Sequence, residues 1–178
     1  MNIEYINFVT ESWNIFPVQY LTNNHHIALF GIRYRHNIYG PVLHEKNRNG
    51  VTKIVEYRVL GKLTCEHNSA RRSFYSNGNL HKEEHYINGQ LHNDHGWSIK
   101  IYYYSGQIQQ AYRLYHGVLH CSDGPAVISY FDSGKPRRVE YWVHNQLHSC
   151  IGPAVIHYYV DGNVKTEEYF MHNEKFTK

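Results

Sequence analysis

Fifteen of the 178 residues are histidine, and several of them recur at one interval. Leu91-His92, Leu119-His120 and Leu147-His148 lie 28 residues apart without insertion, and Arg35-His36 keeps the same phase. Imidazoles at fixed spacing are what a zinc site would use. On strands about 4.8 Å apart, with two strands per copy, neighbouring rings would stand roughly 10 Å apart. That is too far to share an ion at Zn–N distances of about 2.1 Å. The expected role of His36, His92, His120 and His148 is therefore structural, a ring closing a loop with its nitrogens bonded to backbone. His116, His144 and His172 form a second column and carry the same expectation.

Nucleophilic chemistry has one local candidate. His120-Cys121-Ser122-Asp123 strings four reactive residue types together, but neighbours on a turn do not converge on one point as a catalytic triad does. Cys65 and Cys121 share a register two copies apart, about 20 Å on the same strand spacing, and a disulfide needs Cα atoms within about 7 Å. Cys121 and Cys150 fall in adjacent copies, roughly 10 Å apart, and are unsuited to bonding. Three cysteines at spacings that match no zinc or redox motif fit a reducing compartment. No catalytic residue, metal site or cofactor is expected. An active site is one unique place, whereas these features recur along the chain.

The elements that would hold these residues are written in the glycines. Gly50, Gly78, Gly106, Gly134 and Gly162 form an unbroken column at the 28-residue interval. At average glycine usage, four further matches to a preset spacing have a chance probability of roughly 10⁻⁵, before allowing for the choice of period. The residues before them are Asn, Ser or Asp, and Asn-Gly or Asp-Gly between alternating segments signals a tight hairpin turn. A second column reads Gly61, Gly89, Gly117, Asn145, Asn173, residue types that tolerate a left-handed backbone. The glycines Gly40, Gly96, Gly124 and Gly152, with Asn68 in phase, are expected to obey the same rule.

Between turns the residues alternate as strands do: Ala126, Ile128 and Tyr130 against Val127, Ser129 and Phe131. Val139-Glu140-Tyr141-Trp142-Val143 reads as the returning strand. The expected fold is all-β, an elongated, twisted antiparallel meander of tandem 28-residue hairpins, with Tyr75, Tyr103, Phe131 and Tyr159 forming an aromatic file. Residues 1–34 are assigned to an N-terminal cap with a looser hairpin at 18–21 and 27–30. Residues 35–174 form five repeats, and 175–178 a charged tail suited to an edge that refuses pairing. Seventeen tyrosines fit a pleated surface. A net charge of +3 from interspersed acids and bases makes a nucleic-acid partner a poor expectation. No apolar run approaches membrane-span length, and the N-terminus lacks a leader pattern.

The unit Leu-His-x-x-x-Gly-Pro-Ala, then an aromatic strand, x-Gly and a second aromatic strand, resembles the MORN-like repeats encoded in many paralogues by large DNA viruses of amoebae. His120, Gly124-Pro125-Ala126, Tyr130 and Gly134 carry the match in one copy, and His148, Gly152-Pro153-Ala154, Tyr158 and Gly162 in the next. The resemblance covers residues 35–174. It implies a viral β-hairpin array used as a scaffold or for binding other proteins. The Tyr-x-Gly-x-Trp start of the ordinary, shorter MORN unit is absent, so phospholipid binding is not carried over.

The expected function is that of a non-enzymatic scaffold or protein-protein interaction module, located in the host cytosol or a virion, with self-assembly open to it. Tyr130, Tyr141, Trp142, Tyr158 and Phe170 are the candidate interface residues. The alternative is a carbohydrate- or nucleic-acid-binding protein that uses aromatic ladders as stacking platforms, in which case the tyrosines should line a solvent-facing groove with Arg and Lys.

Overall fold

The computed structural model describes residues 43–65 and 68–177, together with the backbone of Tyr20–Leu21, His26–Leu29 and Ile32–Arg35. Every regular element among these residues is a β-strand. One antiparallel sheet of 11 strands dominates, its strands adjacent in chain order from Leu43–Lys46 at one edge to Glu174–Phe176 at the other. Its hairpins begin at Leu43, Arg71, Ile99, Val127 and Val155, and their second strands at Thr52, Leu80, Ile108, Pro136 and Val164. Each copy is therefore offset from the last by 28 residues, and the all-β meander expected from the glycine columns is present.

The hairpin tips differ from the two-residue turn that Asn-Gly suggests. Gly134 N–H donates to Phe131 O at 2.9 Å, and Phe131 N–H donates to Lys135 O at 2.9 Å. Only the glycine is left-handed, at φ 82°. That is a three-residue loop, a type I turn closed by a glycine bulge. Gly50, Gly78, Gly106 and Gly162 repeat it with φ between 79° and 100°.

The other column makes the type I′ turn. Leu60-Gly61, Asn88-Gly89, His116-Gly117, His144-Asn145 and His172-Asn173 each place two consecutive residues at positive φ. In four copies this turn closes a short hairpin, such as Trp142–Val143 with Gln146–Leu147, that stands outside the large sheet. The returning strand read as 139–143 is thus interrupted. Tyr141 leaves the ladder because its N–H donates to Ala154 O of the next repeat (2.8 Å) and its carbonyl accepts His148 N–H (3.0 Å). Tyr57, His85 and Arg113 donate in the same way to Ala70, Ser98 and Ala126. Each interior copy consequently holds four strands, two long and two short.

Ala70, Ser98, Ala126 and Ala154 have no exposed surface. Their carbonyls accept the hydrogen bonds of these kinks, and a small side chain lets the neighbouring backbone come within bonding distance. Enlarging one would cost about 1–3 kcal/mol of overpacking. Ser98 Oγ is satisfied by donating to Leu114 O and accepting Leu114 N–H, both at 2.9 Å. Beyond this column the buried apolar residues among the described residues are Val55, Ala111, Val139 and Val155. Support therefore comes mainly from neighbouring repeats, as in other linear arrays.

Two further files cross the repeats. Tyr75 and Tyr103 donate their hydroxyls to Tyr102 O (2.7 Å) and Tyr130 O (2.8 Å) of the following copies. Phe131 has no hydroxyl, and Lys135 Nζ instead reaches Asp161 O at 2.9 Å. The second file, Glu56, Glu84 and Glu140, is buried; it keeps the 28-residue phase, with Tyr112 at the intervening place. Arg71 bridges two of its members, at 3.2 Å from Glu56 and 3.5 Å from Glu84. Glu140 holds Arg138 (2.9 Å) and accepts Trp142 Nε1–H (2.6 Å). Paired in this way, the carboxylates avoid the several kcal/mol that a lone buried charge costs.

At the N-terminal side, Tyr20–Leu21, His26–Leu29 and Ile32–Arg35 pair as a separate three-stranded sheet. The rest of the assigned cap, and His36 and Gly40, lie outside the described residues. At the other end the segment read as a tail contributes to a strand, since Glu174–Phe176 pairs with Tyr169–Met171.

Candidate functional site

The loops that follow each short hairpin stack on one another, and the histidines sit where they meet. The two histidine columns do not form the separate ladders expected. His92 and His116 lie 4.3 Å apart between ring centres, His120 and His144 4.6 Å, and His148 and His172 4.3 Å. Each pair joins consecutive repeats, because the second member is itself in the left-handed turn, at φ 48–50°. That turn brings its N–H to the first ring: His116 N–H donates to His92 Nδ1 (3.1 Å) and His172 N–H to His148 Nδ1 (3.3 Å). The bond to backbone proposed for this column is thus present at His92 and His148. His120 departs from it, as its Nδ1 is buried without a hydrogen bond.

The column-two residues also tie the short hairpins together. Gly117 N–H donates to Leu91 O, and Asn145 and Asn173 N–H to Leu119 O and Leu147 O. Where the residue is Asn, its Oδ1 also accepts the N–H of that leucine, at 2.7 Å in both copies. The glycines after each histidine behave differently from expectation. Gly96, Gly124 and Gly152 are not in the left-handed region. A Cβ at Gly124 or Gly152 would meet nothing closer than 4.0 Å, so neither φ nor crowding demands glycine there.

Between the stacked loops run two grooves. One, of about 410 Å³, is lined by Asn93–Gly96 on one side and His120–Asp123 on the other, with Arg113 at its base. The next, of about 650 Å³, lies between His120–Pro125 and His148–Ile151. In the first, Arg113 donates to Cys121 Sγ (3.0 Å), and the thiol donates to Asp123 Oδ1 (3.1 Å). The Cys121 thiol, the backbone N–H and the Arg113 guanidinium hold the Asp123 carboxyl below its usual range. His120 joins neither group through a bond, so the run His120-Cys121-Ser122-Asp123 is not assembled as a triad. In the second groove His148 Nε2 lies 3.1 Å from Cys150 Sγ. The three cysteines are free. Among the described residues, no three His, Cys, Asp or Glu side chains converge as metal ligands would.

The candidate interface residues Tyr130, Tyr141, Trp142, Tyr158 and Phe170 are all half-buried. The large apolar residues most open to solvent lie elsewhere: Ile151, Tyr104 and Tyr115 in the interior repeats, and Tyr159, Val160 and Val164 on the last hairpin. A third groove, of about 330 Å³, opens on the wide sheet, with Tyr103, Tyr130, Arg137 and Arg138 among its lining. No helix among the described residues is long and apolar enough to cross a membrane. Compared with known proteins, the chain matches no family model, no curated protein and no solved structure.

Proposed function

We propose that the chain is a non-enzymatic scaffold that binds protein through the apolar surface of its last hairpin. The observation that carries this reading is the surface of the last hairpin. Tyr159 and Val164 are 51% and 50% exposed, whereas Tyr103 and Ile108, at the matching positions two repeats earlier, are half-buried. Apolar surface left open in this way suits a further layer of structure, from a partner or from a second copy. The MORN-like character of residues 35–174 supports the same role and a place in the host cytosol or a virion. The charges of Glu174 and Lys175 on the outer strand disfavour strand pairing there, so the contact would be made by side chains.

Light scattering on the pure chain, combined with recovery of co-purifying protein, tests the proposal. A Tyr159→Lys, Val164→Lys double variant should abolish the self-association or partner retention shown by the natural chain, at unchanged melting temperature. A natural chain that is monomeric and retains no protein from expressing cells would remove the basis for it.

A second reading, binding of carbohydrate or nucleic acid on aromatic platforms, is favoured by the third groove, where Tyr103 and Tyr130 stand beside Arg137 and Arg138.

A further inference from the structure

Every long hairpin of the sheet carries a bulge at the same position. Glu45 pairs with Ile54 and Lys46 with Thr52, leaving Lys53 without a partner in the ladder. The same slip leaves out His81, Gln109, Arg137 and Lys165 in the following hairpins. A bulge breaks the strict alternation of side chains and re-aims the extra residue. Its effect is visible here: Gln109 and Gln110 are consecutive yet line one groove, and so do Arg137 and Arg138. On a regular strand the members of each pair would face opposite sides.

The bulge column is Lys, His, Gln, Arg, Lys, so all but one of its members carry a basic side chain. Lys53, Arg137 and Lys165 enter no ion pair among the described residues. Several stand against an aromatic ring of their own hairpin. His81 lies 4.6 Å from Tyr75, and Lys165 Nζ lies 5.6 Å from the centre of Tyr159. Gln109 shares its groove with Tyr103. With two strands per copy, the file presents these groups at a pitch of roughly 10 Å.

We infer that this file binds an acidic oligosaccharide, one whose rings carry carboxylate or sulfate groups, with Arg137 as its main anion contact. The inference rests on the second reading above and names its ligand class. The groove around Arg137 has no acidic side chain in its lining. A guanidinium free of ion pairs presents a planar fork that matches two oxygens of such an anion. Gln110 Oε1 is engaged by Tyr112 O–H at 2.7 Å, which leaves its amide N–H groups for a ligand. With Gln109 and Ser129 it supplies the mixed donors and acceptors that ring hydroxyls require. The half-buried Tyr103 and Tyr130 offer apolar surface to a sugar's C–H face. Nucleic acid is the poorer fit, because its affinity comes chiefly from many phosphate contacts, and the chain carries a formal charge of only +3.

The test is fluorescence anisotropy with a labelled heparin-derived octasaccharide, a neutral cello-oligosaccharide of equal length and oligothymidylate. The octasaccharide should bind saturably and more weakly as salt rises, and the neutral sugar should not bind. Arg137→Gln should weaken binding about tenfold, the loss of one charge-assisted contact. Arg137→Lys should fall between the two, and Lys62→Gln, off the file, should change nothing. Equal melting temperatures for the variants exclude misfolding as the cause. Binding of oligothymidylate but not of the octasaccharide would overturn the sugar assignment while leaving the second reading intact. Binding of neither would overturn both, and octasaccharide binding indifferent to Arg137→Gln would overturn the site.

Discussion

Glu140-Tyr141-Trp142 and Glu168-Tyr169-Phe170 are almost the same tripeptide in consecutive repeats, yet the backbone treats them differently. At Tyr141 the long strand stops, and Trp142–Val143 starts a short hairpin in a sheet of its own. At Tyr169 the strand Val164–Met171 runs through unbroken. The kink at Tyr141 is held by Ala154 and His148, both C-terminal to it, and Ala154 opens the next repeat. The conformation of an interior repeat is thus set in part by its successor, which is the nearest-neighbour behaviour of a linear array. The same contrast governs the charges, since Glu84 and Glu140 are buried among partners and Glu168 is about one-third exposed on its side chain.

The strongest way to break that comparison is Arg71→Met, which removes the bridge between Glu56 and Glu84. It should cost about 2 kcal/mol in urea unfolding, the worth of a hydrogen bond to a charged group, because two buried carboxylates lose one partner each while Glu56 keeps Arg58 and Glu84 keeps Lys82. Lys175→Met, which strips Glu168 at the outer hairpin, should cost less than about 1 kcal/mol. Similar losses at both sites would show that burial inside the array adds nothing to the ion pairs.

Acid should act on the interior in stages. Burial holds His85 below its ordinary 6.5, helped by the nearby Lys100 charge and opposed by Glu83. Burial also works against ionisation of Glu83, but the Lys100 ammonium and Tyr102 hydroxyl outweigh it and keep its carboxyl below 4.5. Both folded values lie below the unfolded ones. The unfolded chain therefore takes up these protons first, and each contribution is complete above the unfolded value and lost as pH falls through the folded one. The melting temperature should accordingly decline first below 6.5 and again below 4.5. Lys100→Met should remove most of the second stage; an unchanged profile in that variant would sink the assignment.

The smallest effect is a gain. Gly117 occupies the position at which Asn145 and Asn173 bond the preceding leucine through Oδ1. Gly117→Asn should add the equivalent bond to Leu91 and stabilise the chain by about 0.5–1 kcal/mol, the net worth of one hydrogen bond. Asparagine tolerates the left-handed backbone required there. A loss of stability would mean that Leu91 N–H is not reachable in the third repeat.

The interval, the strand class and the hairpin tips were legible because turn residues report local backbone geometry. Gly134 at φ 82° and Asn145 at φ 62° do what their residue types suggest. The exact form of the tip was not legible, as Asn-Gly serves both a two-residue turn and the glycine bulge found here. Neither was the left-handed requirement at Gly124, which the backbone does not impose. The candidate site was read only in part. The histidines were identified, but their pairing across repeats needs the positive φ of His116 and His172, which no propensity for histidine announces.

Composition, alternation and the 28-residue beat are properties of the chain read along its length, and they suffice to require an antiparallel β array. Which carboxylates are buried and where the long strands bend are consequences of repeats lying against one another. Those outcomes depend on hydrogen bonds and ion pairs between residues some 13 to 27 positions apart, and such contacts exist only once the neighbouring copy has folded beside them.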